Sequence, residues 1–219
     1  MKKAHFSIDD VGLSFRYLHR NKPKSIFDLR LYSQLLNWHE KYGLVANLFC
    51  IVRIEDFCIS DLPTMYRTEF ENNADWLKFG FHSGNELSFM EDYDYKNSYE
   101  KAEYFFENMS MGQTKAIRLH SWNATDEQEL FLKSRGVETL FMPNENDYMY
   151  DENGVYIKNG IIHHRTDLWF EKMGEISDEK LATNKDFIVM FTHEWCFDEQ
   201  KIRIDKALSF FYDNGFIYI

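Results

Sequence analysis

Short apolar runs alternate with longer amphipathic segments along this chain, and the alternation predicts strands that lead into helices. Residues 4–8 (AHFSI) read as a strand. Ser25 offers an N-cap with Asp28 three residues on, and Ile26, Leu29, Leu35, Leu36 and Trp38 recur at helical spacing up to a stop at Gly43. Residues 45–52 (VANLFCIV) form a continuous apolar run of strand length, as suits a strand buried on both faces of a parallel sheet. A short helix over 61–73 follows, then a strand over 76–82 (WLKFGFH) and a helix marked by Tyr99, Ala102, Phe105, Phe106 and Met109. A strand is expected over 115–121 (KAIRLHS), a helix capped by Thr125 and Gln128 and stopped at Gly136, and a strand over 137–141. Residues 144–165 break the rhythm with Asn153-Gly154 and Asn159-Gly160, both hairpin-type turns. A strand over 187–193 (FIVMFTH), a helix carrying Ile202, Ala207, Leu208, Phe211 and Tyr212, a stop at Gly215 and a strand over 216–219 complete the chain.

Strands alternating with helices imply a mostly parallel sheet. Seven or eight strands in 219 residues fit one α/β domain over 1–219, a small (β/α) barrel of the TIM type, better than an open sheet. In either architecture ligands sit at the C-terminal ends of the strands. With 3 Pro and 10 Gly the chain has no linker, and 44% apolar with 28% charged residues excludes a disordered tail. The net charge of −11 repels phosphate backbones and anionic bilayers, so neither a nucleic-acid partner nor a membrane surface is expected. No apolar run approaches the ~20 residues that span a bilayer. MKKAHFSIDD lacks the apolar stretch of a signal peptide, which makes a cytoplasmic location the expectation. Cys50, Cys58 and Cys196 are scattered and odd in number, as expected of reduced thiols.

The strand ends carry the chemistry. Asp9-Asp10, His82, Arg118-x-His120 and His193-Glu194 each close an otherwise apolar run. Adjacent carboxylates at the end of a buried strand raise each other's pKa, and a cation relieves this, leaving one Asp to bind it and the other free as a base. The alternative for Asp9-Asp10 is an Asx-turn or helix cap. His82 and Glu86 share a face if a helical turn starts at His82, and together could bind one ion; otherwise Ser83-Gly84-Asn85 is a loop and Glu86 faces solvent. Arg118 and His120, two apart, point to one side of a strand and could deliver a cation to a carboxylate and an imidazole to a metal; the alternative is a structural salt bridge and a core histidine. His193 could serve as a general acid or close the barrel by a hydrogen bond. Cys196, three residues on, gives a lone His-x-x-Cys, which says little about a metal. His163-His164, in the expected hairpin, has no assigned role.

Together and in this order the motifs resemble the polysaccharide deacetylases of carbohydrate esterase family 4, with the NodB homology domain and its distorted barrel of usually seven strands. The family's Thr-Phe-Asp-Asp-Gly reads here Ser7-Ile8-Asp9-Asp10, with Gly12 one place late. The resemblance implies Asp9 as catalytic base and Asp10 as metal ligand. His-Ser/Thr-x-x-His reads His82-Ser83-Gly84-Asn85-Glu86, which makes His82 a ligand and puts Glu86 where a second His is expected. Arg118 matches the arginine that holds the base. His120 is outside the usual motif and is a substitute for the missing imidazole. Phe191-Thr192-His193 matches the strand that ends in the general acid, and Asp167-Leu168-Trp169 loosely matches the motif that carries an Asp and a Trp.

The resemblance implies a metal-dependent hydrolase that removes an N-acetyl or other acyl group from a small or lipid-linked amino sugar. A divalent cation, Zn²⁺ in expectation, would be held by Asp10, His82 and His120, with Glu86 as alternative or fourth ligand, and would lower the pKa of water from about 16 toward about 7. Trp122, Trp169 and Trp195 are candidates to stack on the sugar. Two other readings remain: a metal-free glycosidase using Asp9 or Asp10 with Glu194, and a sugar-binding barrel without catalysis. Oligomeric state is not legible.

Overall fold

The structure is a computed structural model that describes residues 1–85, 94–122, 124–143 and 150–219. In chain order its strands are β1 (Lys2–Val11), β2 (Ala46–Ile54), β3 (Phe57–Cys58), β4 (Leu77–Asn85), β5 (Gly112–Gln113), β6 (Ala116–Ile117), β7 (Thr139–Met142), β8 (Val155–Lys158), β9 (Ile161–Arg165), β10 (Leu168–Trp169), β11 (Phe187–His193) and β12 (Phe216–Tyr218). The helices are α1 (Leu13–Asn21), α2 (Arg30–Tyr42), α3 (Arg67–Asn72), α4 (Tyr95–Asn108), α5 (Asp126–Ser134), α6 (Asp178–Leu181) and α7 (Phe197–Asp213).

One sheet runs β10-β11-β1-β2-β4-β5 and the other β6-β7-β9-β8. The short strand pairs β5/β6 and β9/β10 each carry the chain from one sheet to the other, so the two sheets form a distorted seven-position (β/α) barrel. Neighbouring barrel strands are parallel; β3 and β8 add antiparallel edges. The Asn159-Gly160 turn joins β8 to β9 with φ of 51° and 75°, the left-handed pair that a two-residue hairpin needs. Asn153-Gly154 instead closes an Asx-turn, in which the Asp151 carboxylate accepts from the Asn153 and Val155 amides at 2.9 Å each.

Strand β1 shows how the core divides. Ala4, Phe6 and Ile8 are buried, and Phe6 packs edge-on to Trp38 and Phe170. The alternate residues His5, Ser7 and Asp9 are equally buried, with His5 against Phe141 and Ser7 and Asp9 on Arg118, so a polar row lies within the barrel.

Several expectations are corrected. The Ser25/Asp28 box is present, but it caps a 3-10 turn over Ile26–Asp28 ahead of α2. Residues 59–66 form two 3-10 turns, and the helix expected over 61–73 is only α3. The strand expected over 115–121 ends at Ile117, and His120 lies in a 3-10 turn. Arg118 and His120 therefore do not share a strand face. No helical turn starts at His82, because β4 stays extended to Asn85. Glu86 lies outside the described residues. The three cysteines are free thiols.

Candidate active site

Two strand irregularities aim the acidic and imidazole groups. Strict alternation would send Asp9 and Asp10 to opposite faces. The pairing of β1 with β2 shifts between Ile8 and Val11, and Asp10 takes a left-handed φ of 57°, a conformation Asp tolerates better than most residues. Both carboxylates thereby reach the same barrel mouth. On β4 the register with β2 skips His82, between the Cys50–Phe81 and Ile51–Ser83 pairs. His82 is the extra residue of a bulge and turns toward Asp10.

Asp10 Oδ1 lies 3.2 Å from His82 Nε2 and 3.3 Å from His120 Nδ1. Its other oxygen accepts a hydrogen bond from Trp195 Nε1 at 3.1 Å. The ligand atoms of Asp10, His82 and His120 all lie within 4.8 Å of one another. Burial acts to raise the Asp10 pKa, but the contacts with His120 and His82 outweigh it and hold the carboxyl well below its ordinary range. His82 Nδ1 meets the Arg118 carbonyl at 2.6 Å, a contact that an N–H must make. In the neutral imidazole this leaves the lone pair on Nε2, facing a carboxylate oxygen. Two lone pairs that face each other call for a positive charge between them, a proton or a metal cation, and a histidine held by a backbone carbonyl is the usual support of a metal ligand. The residues present fit a divalent cation.

Asp9 is held by Arg118. The guanidinium Nη1 donates to Asp9 Oδ1 at 2.9 Å, to Oδ2 at 3.2 Å and to Ser7 Oγ at 2.8 Å, while Nη2 donates to Thr166 Oγ1 at 3.2 Å. Arg118 is fully buried, 4.0 Å from the Phe191 ring centroid and 4.9 Å from that of Trp122. Burial pulls the Arg118 pKa down, and the charge and hydrogen bonds of Asp9 oppose this. Arg118 reaches Asp9 from the residue after β6. The turn from Leu119 to Trp122, with φ of 60° at both Ser121 and Trp122, brings His120 back to Asp10.

His193 ends β11 as the register partner of Asp9 on β1. Glu171, two residues past β10, holds it: Oε1 accepts from the His193 amide at 2.7 Å, lies 3.4 Å from His193 Nδ1, and accepts from Thr192 Oγ1 at 2.7 Å. Burial pushes the Glu171 pKa up, but the bonds from His193, Cys196 and Thr192 prevail and hold it down at about 2. Burial pulls His193 down, and the Glu171 hydrogen bond with the charges of Asp9 and Asp10 lifts it above its ordinary value. The sequence pattern pointed to Asp167 as the acidic residue of this stretch. Asp167 instead pairs with Lys185 and accepts from the Val189 amide at 2.9 Å, so it ties β10 to β11. Glu171 obeys the same strand-end rule as the other residues, and that was the signal available for it.

The tryptophans divide. Trp195 is exposed and stacks on His193 with centroids 5.2 Å apart. With Asp10, His120, Leu13 and Ile54 it lines a cavity of about 240 Å³. Trp122 and Trp169 line a second cavity of about 330 Å³ with Phe191 and Met173, and Lys172 Nζ sits 3.7 Å from the Trp169 centroid. Glu194 faces neither. Its Oε2 accepts from the Gly12 and Leu13 amides at 2.8 and 2.7 Å and its Oε1 from the Ser14 amide at 2.8 Å, which caps the N-terminus of α1. Of the His163-His164 pair, His163 is buried against Tyr156 with its Nε2 3.6 Å from Glu129, away from the site.

By sequence, neither a family model nor a curated protein matches the chain. Solved structures do. The Bc1960 peptidoglycan N-acetylglucosamine deacetylase superposes with a TM-score of 0.56 at 12% identity, over 99% of this chain and 85% of that one. A family 4 carbohydrate esterase from Streptomyces lividans, in complex with acetate, gives 0.54 at 11% identity, over 99% and 91%. The barrel has the fold of the polysaccharide deacetylases. The same barrel also matches the 4-alpha-glucanotransferase from Thermococcus litoralis, with a TM-score of 0.62 at 12% identity, over all of this chain and 39% of that one. At these identities the likeness is one of fold, and the chemistry rests on the residues. Among the described residues no helix is long and apolar enough to cross a membrane.

Proposed function

We propose that this protein is a cation-dependent amide hydrolase that removes an acetyl or other small acyl group from an amino sugar, free or lipid-linked. One observation carries the reading: three ligand atoms from Asp10, His82 and His120 gather within 4.8 Å, beside a carboxylate held by a buried arginine and an imidazole held by a carboxylate. Asp10, His82 and His120 would hold the cation, with Zn²⁺ suited to one carboxylate and two imidazoles. When bound, such a cation acidifies water and polarises an amide carbonyl. Asp9, fixed by both guanidinium contacts, takes the proton of the attacking water. His193 gives its proton to the departing nitrogen, and Glu171 fixes its ring and favours the protonated form. Trp195 and the Trp122–Trp169 wall offer flat apolar faces to a sugar ring and an acyl group.

Glycosyl transfer, the activity named for the glucanotransferase, needs a pair of carboxyl groups aimed at the sugar. Glu194 spends both oxygens on backbone amides, so it does not pair with Asp9 or Asp10 across a substrate. The test is acetate release from N-acetylated amino sugars. Release is expected to stop in excess chelator and to return once the chelator is removed and one equivalent of Zn²⁺ is added, whereas unchanged release in chelator overturns the reading.

The pH dependence follows from His193. The acid form is protonated below its pKa, and that pKa is raised. The alkaline limb of turnover is therefore expected to be a fall as pH climbs through this raised value, while the acidic limb reports the carboxylates that must stay ionised. Replacing Glu171 by Gln keeps an acceptor oxygen but removes the carboxylate charge behind the largest single lift, so the alkaline limb of kcat is expected to move toward lower pH. A limb that stays in place in Glu171→Gln removes His193 as its origin.

A further inference from the structure

His193 and Cys196 stand in a His-x-x-Cys spacing that means little by itself, and the fold supplies a third donor. Glu171 Oε1 lies 3.4 Å from His193 Nδ1 and 2.6 Å from Cys196 Sγ, and the ligand atoms of the three residues all lie within 4.8 Å of one another. Glu171 Oε1 takes donors from Thr192, His193 and Cys196, while its Oε2 is sealed from solvent without a hydrogen-bond partner among the described residues. Cys196 is buried. We propose that Glu171, His193 and Cys196 form a second cation site, distinct from Asp10, His82 and His120, and that a thiophilic divalent cation bound there switches the hydrolase off.

The donor set is one oxygen, one nitrogen and one sulfur, which suits Zn²⁺ or Cd²⁺ and disfavours Mg²⁺ and Ca²⁺. Neighbouring ligand atoms around a tetrahedral Zn²⁺ stand roughly 3.3–3.8 Å apart, given bonds of about 2.0–2.3 Å. The Oε1–Nδ1 separation of 3.4 Å already matches. The sulfur has to swing outward by about 1 Å to reach the same spacing, and rotation about its Cα–Cβ bond provides this. The thiol gives up its proton to solvent, and Oε2, which has no partner among the described residues, supplies a further oxygen.

The switch follows from the atom used. His193 meets Glu171 through Nδ1. A cation on Nδ1 leaves Nε2–H on a neutral imidazole, a far weaker acid than the imidazolium that protonates the leaving nitrogen. Binding at this site does not depend on the proposed hydrolysis; only the switching does.

Cadmium titration of the full, metal-stripped chain tests the site, with the thiolate-to-metal charge-transfer absorption as readout. Two equivalents are expected to bind, and one of them raises the band. Cys196→Ser is expected to lose the band and one equivalent while keeping the other; Glu171→Gln is expected to weaken the band; Cys58→Ser is expected to leave it intact. Absence of a thiolate band, or a band that survives Cys196→Ser, overturns the site. In the activity arm, excess Zn²⁺ is expected to slow acetate release by wild type by about 100-fold or more, the usual worth of a general acid, and to spare Cys196→Ser relative to its own rate. A wild type that binds the second equivalent without slowing overturns the switch. If the band behaves as expected while no acetate is released under any condition, the site stands and the deacetylase reading falls.

Discussion

Asp9→Asn is expected to leave the cation bound and to lower turnover by about 10²–10⁴-fold, the range typical of a lost general base. Asparagine keeps the shape of the side chain and one oxygen for Arg118 Nη1, now bonded to Asp9 Oδ1 at 2.9 Å, so one hydrogen bond survives while the buried arginine loses its counter-charge and the fold loses stability. It removes the group that accepts the proton of water. Asp10, whose contacts run to His82, His120 and Trp195, is untouched by the change. Metal analysis of the purified variant together with kcat separates the two effects. A variant that turns over like wild type excludes Asp9 from the reaction, and one that loses the cation places Asp9 among the ligands.

The largest stability effect is expected at Arg118. Its guanidinium is fully buried in an aromatic surround and forms the partner of a fully buried carboxylate. Removing one member of a buried pair leaves an uncompensated charge, at a cost of about 3–5 kcal/mol. Arg118→Leu should lower the unfolding free energy in urea by that amount. The double variant Arg118→Leu with Asp9→Leu should recover much of the loss, because an apolar replacement of both partners removes the stranded charge. A loss under about 1 kcal/mol in the single variant, well short of the cost of a broken buried pair, contradicts the role given to this pair. The same pair explains how a guanidinium is held in the barrel interior: its charge and hydrogen bonds fix Asp9 beside Ser7 and Thr166.

What was readable in the chain was what local chemistry encodes. The run FIVMFTH is β11 over Phe187–His193, because its apolar residues pack on both faces of the sheet. Thr125 and Gln128 exchange their capping bonds at the start of α5, and Asn159-Gly160 turns β8 into β9. What was hidden depends on distant partners. Helix α1 has no local side-chain cap, because Glu194, 182 residues from Gly12, serves its first amides. Residues 115–121 carry a strand's composition, but Arg118 turns inward to Ser7 and Asp9 and the chain leaves the sheet through two left-handed residues that are not glycine. The bulges at Asp10 and His82 have no sequence mark either, and they set which way the side chains point.

The candidate site divides in the same way. The residue types at the strand ends, Asp9, Asp10, His82, Arg118, His120 and His193, were visible, and the fold places Asp10, His82 and His120 together. The reasons given for two of them were not those of the structure: His120 arrives by a turn, and His82 sits on a bulge inside β4, which runs on to Asn85, and does not end the strand. Glu171 was missed because its relation to His193 spans 22 residues and two elements.

The central claim is that one divalent cation is shared by Asp10, His82 and His120. Zinc anomalous scattering from crystals of the purified protein tests it most directly. The account predicts a peak at about 2.0–2.2 Å from an Asp10 oxygen and from one nitrogen each of His82 and His120, the usual Zn–O and Zn–N bond lengths. Zinc-replete crystals with no peak among these three side chains would contradict it.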